Sequence, residues 1–302
     1  QRSEDKTVKL VVKTSPSEYL SNRIGDFTKV DISGNSAMKL HLEYDTYSKS
    51  GIVDIAADLQ EAAIDLPLLN WAKFPGEVGE VEALVEFSDN TVKNVTITKA
   101  LFGTSHAEAV LEMSPNFAIS RATLKNVKFP GYDIDELIVT IDDDNALDVV
   151  AEGGLIDTTF LLRTTGLSGK RKIAFEFSSA RLQLATHITL QGALVGEIDK
   201  SGSGTALLNG SLFVEQSPLI EEATIEASFD TLHETLSGTG LIGGAEATLS
   251  YSSTAADTSQ LVIRSQNAGR TLLGLNVLDT IRGGELLFIN TYKNKEFDNF
   301  NT

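Results

Sequence analysis

The chain has 302 residues, a formal net charge of −17, 41% hydrophobic residues and no cysteine. The acidity argues against nucleic-acid binding, because neutralising phosphates requires clustered Lys and Arg, and against electrostatic attachment to an anionic membrane surface. The absence of cysteine excludes disulfides and thiolate chemistry. No apolar run approaches the ~18 residues that a membrane-spanning helix needs.

Nothing in the sequence marks a natural start, a natural end or a linker. The polar segment 1–6 does not begin with Met and lacks the apolar core of a signal peptide. We therefore expect residues 1–302 to be one continuous segment cut from a longer protein. A small, polar and basic stretch at 164–172 is a candidate sub-boundary. Because composition does not change across it, we favour a loop between successive layers of one sheet.

Alternation of apolar and polar residues with period two dominates the chain. The clearest runs are 38–45, 81–87, 172–177, 181–191 and 223–230. Successive side chains of a strand point to opposite faces, so each run has one apolar and one solvated face, as is typical of antiparallel sheet. We expect one shared apolar interior, lined by Leu40, Leu42, Val85, Phe175, Leu184, Ile188, Ile225 and Phe229.

Turn signals recur between these runs, which predicts roughly 16 to 18 short strands. Gly, Asn and Asp accept the positive φ that tight hairpins require. The predicted turns are Ser33-Gly34-Asn35, Pro75-Gly76, Ser88-Asp89-Asn90, Pro130-Gly131, Asp142-Asp143-Asp144-Asn145, Gly153-Gly154, Gly202-Ser203-Gly204 and Gly243-Gly244.

Helical signals are sparse. Short helices are predicted at Ser17–Ile24 and Asp157–Arg163. The best candidate is Asn267–Arg282, with Asn267 as the N-cap and Gly283-Gly284 as the end. Gly274 and Asn276 weaken its middle, which allows two shorter pieces.

No set of residues in the sequence indicates an active site. The four histidines, 41, 106, 187 and 233, are far apart and have no second ligand at metal spacing. The acidic turn at 142–145 lacks the spaced ligands and closing Glu of a calcium loop. Ser203 lacks the strand–turn–helix context of a nucleophile, and Gly169-Lys170 lacks the rest of a phosphate loop. We therefore expect no catalytic residue, no cofactor and no metal site.

Three segments carry a resemblance to a known family. The strongest is 265–286, in which Asn267-Ala268-Gly269 is followed by a Leu-rich stretch, then Asp279-Thr280-Ile281-Arg282-Gly283-Gly284 and a strand. The segment 58–73, with Leu66-Pro67 and Trp71-Ala72-Lys73, and Gly153-Gly154-Leu155-Ile156-Asp157 fit as well. Together they resemble the YhdP/TamB-type branch of the AsmA-like superfamily. Asn267 stands where that family often has Asp, and both residues can cap a helix.

The resemblance implies a fold and a function. The fold would be all-β: an elongated, curled, antiparallel-rich β half-pipe with one or two short helices and an apolar lining. The chain would then be a segment of a periplasmic bridge-like lipid transfer protein of Gram-negative bacteria, anchored to the inner membrane by an N-terminal helix absent from this sequence. Its partners would be phospholipid and, through other segments, the membranes.

The residues alone leave two other functions open. Alternation does not distinguish a closed, dry core from an open apolar groove, so a structural or adhesive β-array with a closed core is the alternative. A carbohydrate-processing enzyme on a β-sandwich is a second alternative. It would need exposed aromatic residues and a close carboxylate pair, and Trp71 is the only tryptophan.

Overall fold

A computed structural model describes residues 6–14, 31–66, 71–89, 91–114, 118–142, 144–158, 171–185, 187–230, 233–254, 258–277 and 280–293. The chain divides into two compact units, Gln1–Gly154 and Leu155–Thr302. The described residues form twenty strands and one helix, which confirms the all-β, antiparallel class. The predicted sub-boundary at 164–172 falls largely outside these residues.

The first unit contains twelve strands. They are β1 (Lys6–Thr14), β2 (Asp31–Gly34), β3 (Ser36–Asp45), β4 (Ser50–Asp58), β5 (Ala62–Leu66), β6 (Trp71–Lys73), β7 (Gly79–Ser88), β8 (Thr91–Phe102), β9 (Ser105–Met113), β10 (Ile119–Phe129), β11 (Tyr132–Ile141) and β12 (Leu147–Asp157), of which the last three residues belong to the second unit.

Eight strands of the first unit form one continuous antiparallel ladder. β1 pairs with β3, β3 with β4, and the ladder continues through β7, β8 and β9 to β10 and β11. β10 pairs with β9 along one edge and with β11 along the other, over nearly the same residues. Both edges of β10 are therefore occupied within this ladder.

A separate three-stranded sheet lies beside this ladder. Its strands are ordered β2–β5–β6 and are antiparallel. Leu59 N donates to Gly79 O (2.7 Å), and Gly76 N donates to Gln60 O (2.8 Å). These bonds fix the small sheet where β4 ends and β7 begins. We call this sheet, with its connections, the plug sheet.

The second unit is an antiparallel ladder in which each strand pairs with the next. Its strands are β13 (Ile173–Ala185), β14 (Ile188–Ile198), β15 (Gly204–Val214), β16 (Ser217–Phe229), β17 (His233–Ile242), β18 (Ala245–Thr254), β19 (Thr258–Ser265) and β20 (Leu286–Lys293).

The single helix, α1 (Ala268–Gly274), is shorter than predicted. The side chain of Asn267 caps it by accepting from Arg270 N (3.1 Å), as predicted. The helix ends at Gly274, and Asn276 lies at φ 56°, so the two residues expected to weaken it do so. It packs against β17 and β18. The described part of the chain thus holds no helix long enough to cross a membrane.

The turn predictions are mostly confirmed, with positive φ at Gly34, Gly76, Asp89, Gly131, Asn145, Gly202, Gly243 and Gly244. The turn at Gly153-Gly154 is wrong, because both residues lie inside β12. A Cβ on Gly153 would lie 2.5 Å from Asp133 O, so glycine here permits close approach of neighbouring backbone.

Three further predictions are corrected or fall outside the described residues. Asp157 ends a strand instead of starting a helix. The run 181–191 is a hairpin, β13 followed by β14, in which Ala185 pairs with Ile188. The predicted helix Ser17–Ile24 and the remainder of Asp157–Arg163 lie outside the described residues.

Candidate functional site

The ladder of the first unit has one apolar face. In register across β3, β4, β7 and β8, Leu42 pairs with Val53, Val53 with Val85, and Val85 with Val95. The row continues through Leu111 of β9 to Ala122 of β10. The other face of these strands carries charged side chains, including Glu43, Asp54, Glu86 and Glu112. Charged side chains belong in solvent, so the apolar face is the inner face of the curved sheet.

This apolar face is partly accessible along much of its length. Leu42, Val53, Val85, Val95 and Leu111 are all partly exposed. The next row, Leu40, Ile55, Ala83 and Ile97, is partly exposed too. A close-packed protein core buries such residues almost completely. The apolar face of the first unit therefore remains accessible beside its aliphatic side chains.

The apolar face next to the plug sheet is dry. Val127, Tyr132 and Ile134 are only 7%, 7% and 6% exposed. Trp71 of β6 lies between Phe102 and Phe129, with ring centroids 5.9 and 5.2 Å away, and it meets Phe129 edge-on. Such edge-to-face contacts add to the stability gained from burial. We call these three rings the aromatic floor.

Lys73 anchors the plug sheet from within. Its side chain is 1% exposed. Its Nζ donates to the carbonyl oxygens of Ala62 (2.8 Å), Gln60 (3.2 Å) and Phe74 (3.2 Å). A buried ammonium is tolerated only when its protons are satisfied in this way. Sequence reasoning missed this role, although Trp71 and Lys73 both lie in a segment that carries the family resemblance.

The second unit also has one apolar and one polar face. The cross-strand row of its apolar face runs from Leu208 to Ile225, Gly238, Leu249, Ile263 and Phe288. Exposure increases along this row, from 9% at Leu208 and 2% at Ile225 to 43% at Phe288, with Leu249 and Ile263 in between. We call this row the apolar stripe. It is dry toward β15 and accessible toward β20.

The eight residues expected to line one interior fall into two groups. Leu40, Leu42 and Val85 lie on the apolar face of the first unit. The other five, Phe175, Leu184, Ile188, Ile225 and Phe229, share the apolar face of the second unit by strand register and alternation. Phe175 is buried, whereas Ile188 is 38% exposed at the end of its strand.

Recesses on the second unit lie on its polar face. One is lined by Glu226, Ser237, Thr248 and Arg264, among others, and a neighbouring one by Glu222 and Glu246. They are open recesses whose lining mixes charged and hydroxyl side chains with apolar ones, among them Val262 and Leu241. The sequence predicts a groove only on the apolar face of the sheet, so these recesses on the polar face were not predicted.

The residues considered above as candidates for catalysis or metal binding lie in ordinary structural surroundings. In the described ranges no group of three or more His, Asp or Glu could hold a metal ion. Asp142 accepts from Ala146 N (2.7 Å) in a hairpin turn, and Ser203 N donates to Asp199 Oδ1 (3.1 Å) in another. His187 lies in the β13–β14 turn.

Comparison with known proteins adds no relative: no family model, no curated protein and no solved structure matches this chain.

Proposed function

We propose that this chain belongs to a non-enzymatic lipid carrier whose apolar β-surfaces hold phospholipid acyl chains. The observation that carries the proposal is the apolar stripe of the second unit. It crosses successive strands without a charged residue and becomes accessible toward Phe288. Large accessible apolar surfaces on sheet proteins mark sites that bind apolar partners.

The aliphatic stripe suits a mobile ligand. Leu249, Leu261 and Ile263 offer apolar area without hydrogen-bond donors or acceptors. Burying a hydrocarbon chain there is worth ~25 cal/mol per Å² wherever along the surface the chain lies, because apolar burial is non-directional. A lipid can therefore shift along the stripe, because no deep energy minimum holds it at one position. Such binding requires no catalytic group.

The resemblance to AsmA-like proteins supplies the cellular setting of the proposal. By that resemblance the chain would lie in the periplasm of a Gram-negative cell, within a protein anchored in the inner membrane. There an open half-pipe would conduct phospholipid between inner and outer membranes. In this chain, the half-pipe would be the second unit.

A structural or adhesive β-array is the second candidate, and one observation favours it. Phe177, Leu182, Leu190 and Ile225 are between 0% and 2% exposed. That part of the apolar face is packed as tightly as an ordinary core and leaves no room for a ligand. The carrier proposal therefore concerns the accessible part of the stripe, from Leu249 toward Phe288.

The test is photo-crosslinking from the accessible part of the stripe. A photoreactive amino acid replaces Leu249, and a matched control replaces Ser250, the next residue on the opposite face. After exposure to phospholipid vesicles, we expect lipid adducts from position 249 and few or none from 250, as measured by mass spectrometry. Equal labelling at both positions, or none at 249 together with no co-purified lipid in native mass spectrometry, supports the closed array instead.

A further inference from the structure

We infer that two copies of this chain associate through β20, which pairs antiparallel with the same strand of a second copy about a two-fold axis at Ile289. The inference concerns the second unit alone and does not depend on lipid binding. It goes beyond the proposed function because it assigns a partner to the strand at which the ladder of the second unit ends.

The edge of β20 is suited to the addition of a strand. Among the strands that the structure describes, β20 has a pairing register with β19 alone, from Leu286 to Lys293. The outward backbone groups of an edge strand favour pairing with another chain unless a bulge, a proline or a charged side chain protects the edge. The β19–β20 register is unbroken, and 286–292 contains no proline and no charged residue.

The side chains of β20 are apolar on both faces of the sheet. Phe288 lies on the apolar stripe and is 43% exposed. On the opposite face, Leu287 and Ile289 are 56% and 54% exposed, although the row that leads to Leu287 consists of Thr248 and Arg264. Exposed apolar residues on a largely polar face indicate contact with another molecule. A partner that covers both faces at once is an added strand, because its side chains alternate between them.

The backbone edge itself excludes a lipid as the occupant. Acyl chains have no donors or acceptors, so hydrocarbon packed against this edge would leave backbone N–H and C=O groups unsatisfied. An added strand satisfies these groups and, in the same contact, supplies apolar side chains to both faces. The partner of β20 is therefore a polypeptide in extended conformation.

The charges near β20 favour a second copy of the chain as that polypeptide. The chain carries a net charge of −17, so most contacts between two copies would bring like charges together. β19 and β20, by contrast, contain no Asp or Glu, while Glu285 precedes β20 and Lys293 ends it. An antiparallel pair centred on Ile289 places position 285 of each copy opposite position 293 of the other. Opposite charges then meet at both ends of the pair, which stabilises it.

The two-fold symmetry limits the assembly to two copies. Each β20 uses its edge once, so the pairing closes on itself and leaves no free edge at this end of the ladder. A single pair of strands buries less than the ~800 Å² per partner of a standard interface. We therefore expect a dimer with a dissociation constant on the order of micromolar.

Analytical ultracentrifugation of the full chain between ~1 and ~100 µM tests the association. We expect the average mass to rise toward twice that of one chain. Ile289→Lys places like charges across the axis and should remain monomeric, whereas Leu273→Lys, a control on α1 at a residue that is 60% exposed, should associate as the parent does. A monomeric parent, larger polydisperse assemblies, or equal behaviour of the two variants overturns the inference.

A charge exchange tests the register. Glu285→Lys and Lys293→Glu each place like charges at both ends of the pair, and we expect either one to weaken dimerisation several-fold. The double variant restores opposite charges and should associate like the parent, with thermal melts reporting the fold of each protein. A double variant that associates no better than the single variants contradicts the pairing.

Chemical crosslinking gives a second measurement, because the chain has no cysteine of its own. A short bismaleimide should join two copies of Ile289→Cys and should leave Leu273→Cys monomeric. No crosslinked product at position 289, or equal yields at the two positions, contradicts the pairing even if a charge variant fails to fold.

The dimer and the lipid proposal fail separately. Lipid crosslinks from position 249 in a chain that stays monomeric leave the apolar stripe as a lipid surface and eliminate the dimer. A dimer that Ile289→Lys dissociates, without lipid crosslinks from position 249, leaves the β20 interface and eliminates lipid binding at the stripe.

Discussion

The ammonium of Lys73 donates to the carbonyl oxygen of Ala62 at 2.8 Å, and both residues are almost completely buried, at 1% and 0% exposure. A cation thus lies in the interior beside the aromatic floor and holds two strands of the plug sheet, β5 and β6, together. A hydrogen bond to a charged group is worth more than one between neutral groups. The Lys73 side chain therefore adds to the backbone pairing that holds β5 and β6 together.

Lys73→Met is predicted to destabilise the plug sheet. The substitution keeps an unbranched apolar stem but leaves the carbonyls of Gln60, Ala62 and Phe74 without this donor. We expect the free energy of unfolding to fall by about 2–4 kcal/mol, as measured by urea titration with Trp71 fluorescence. Lys99→Met, which removes an exposed ion pair with Glu80, serves as control and should leave stability nearly unchanged. Equal effects of the two variants would contradict the anchoring role.

Two aspartate substitutions on the same face should differ in effect. Ile225 is 2% exposed and Ile188 is 38% exposed. Ile225→Asp places an unpaired carboxylate in a dry interior and should cost more than ~3 kcal/mol, whereas the carboxylate of Ile188→Asp reaches solvent and should cost about 1 kcal/mol or less. Thermal and urea unfolding check this. Similar stability of the two variants would show that the apolar face is uniformly open or uniformly closed.

The glycine pair after α1 offers a matched comparison. Gly284 has φ 89°, and its carbonyl accepts from Ala268 N (2.6 Å) at the start of the helix. Gly284→Ala should cost about 1–2 kcal/mol, because a Cβ resists this conformation. Gly283 has no positive φ, and a Cβ there would meet no atom within 4 Å. Gly283→Ala should therefore be neutral in thermal melts, and an equal loss in both variants would refute this assignment.

Acid should destabilise two hairpin turns. The backbone N–H of Tyr47 and the hydroxyl of Ser48 hold the pKa of Asp45 below its usual value of 3.8, and the hydroxyl of Ser201 does the same for the pKa of Asp199. A carboxyl group whose pKa is lower in the folded than in the unfolded state stabilises the fold fully when the pH is above its unfolded-state pKa. This stabilisation is lost as the pH falls through the folded-state pKa. We expect melting temperature to fall with pH below about 4.

Asp199→Asn is the variant that checks this pH dependence. The amide oxygen can still accept in the turn, but it does not titrate over this range. The fall in melting temperature between about pH 4 and pH 2 should be smaller in the variant than in the parent. An identical acid profile would show that Asp199 does not contribute.

Alternation and turn chemistry predicted much of the fold because both are local. The run 223–230 became part of β16 with Ile225 buried and Glu226 exposed, as its period-two pattern requires. The hairpin between Ala185 and Ile188 was missed because the intervening Thr186-His187 contains no glycine or proline, and the apolar alternation resumes in phase at Ile188. The residue composition of this turn therefore gives no turn signal.

The candidate site was less predictable, because it depends on contacts between distant segments. The alternation identified Leu40, Leu42 and Val85 as apolar positions, but it could not show that they belong to a different compact unit from Ile225. The aromatic floor unites residues 71, 102 and 129 from three separate strands. No local pattern relates these positions.

The pairing of β1 with β3 has a consequence for how the chain folds. The hairpins β3–β4, β7–β8 and β8–β9 close short loops, whereas β1 reaches β3 only across residues 15–35. A longer loop costs more entropy to close. We expect these hairpins to form first and β1 to dock in a later phase, since less local pairing lengthens folding times. Until then β3 presents an open edge, and the nascent first unit is most prone to aggregation during this interval.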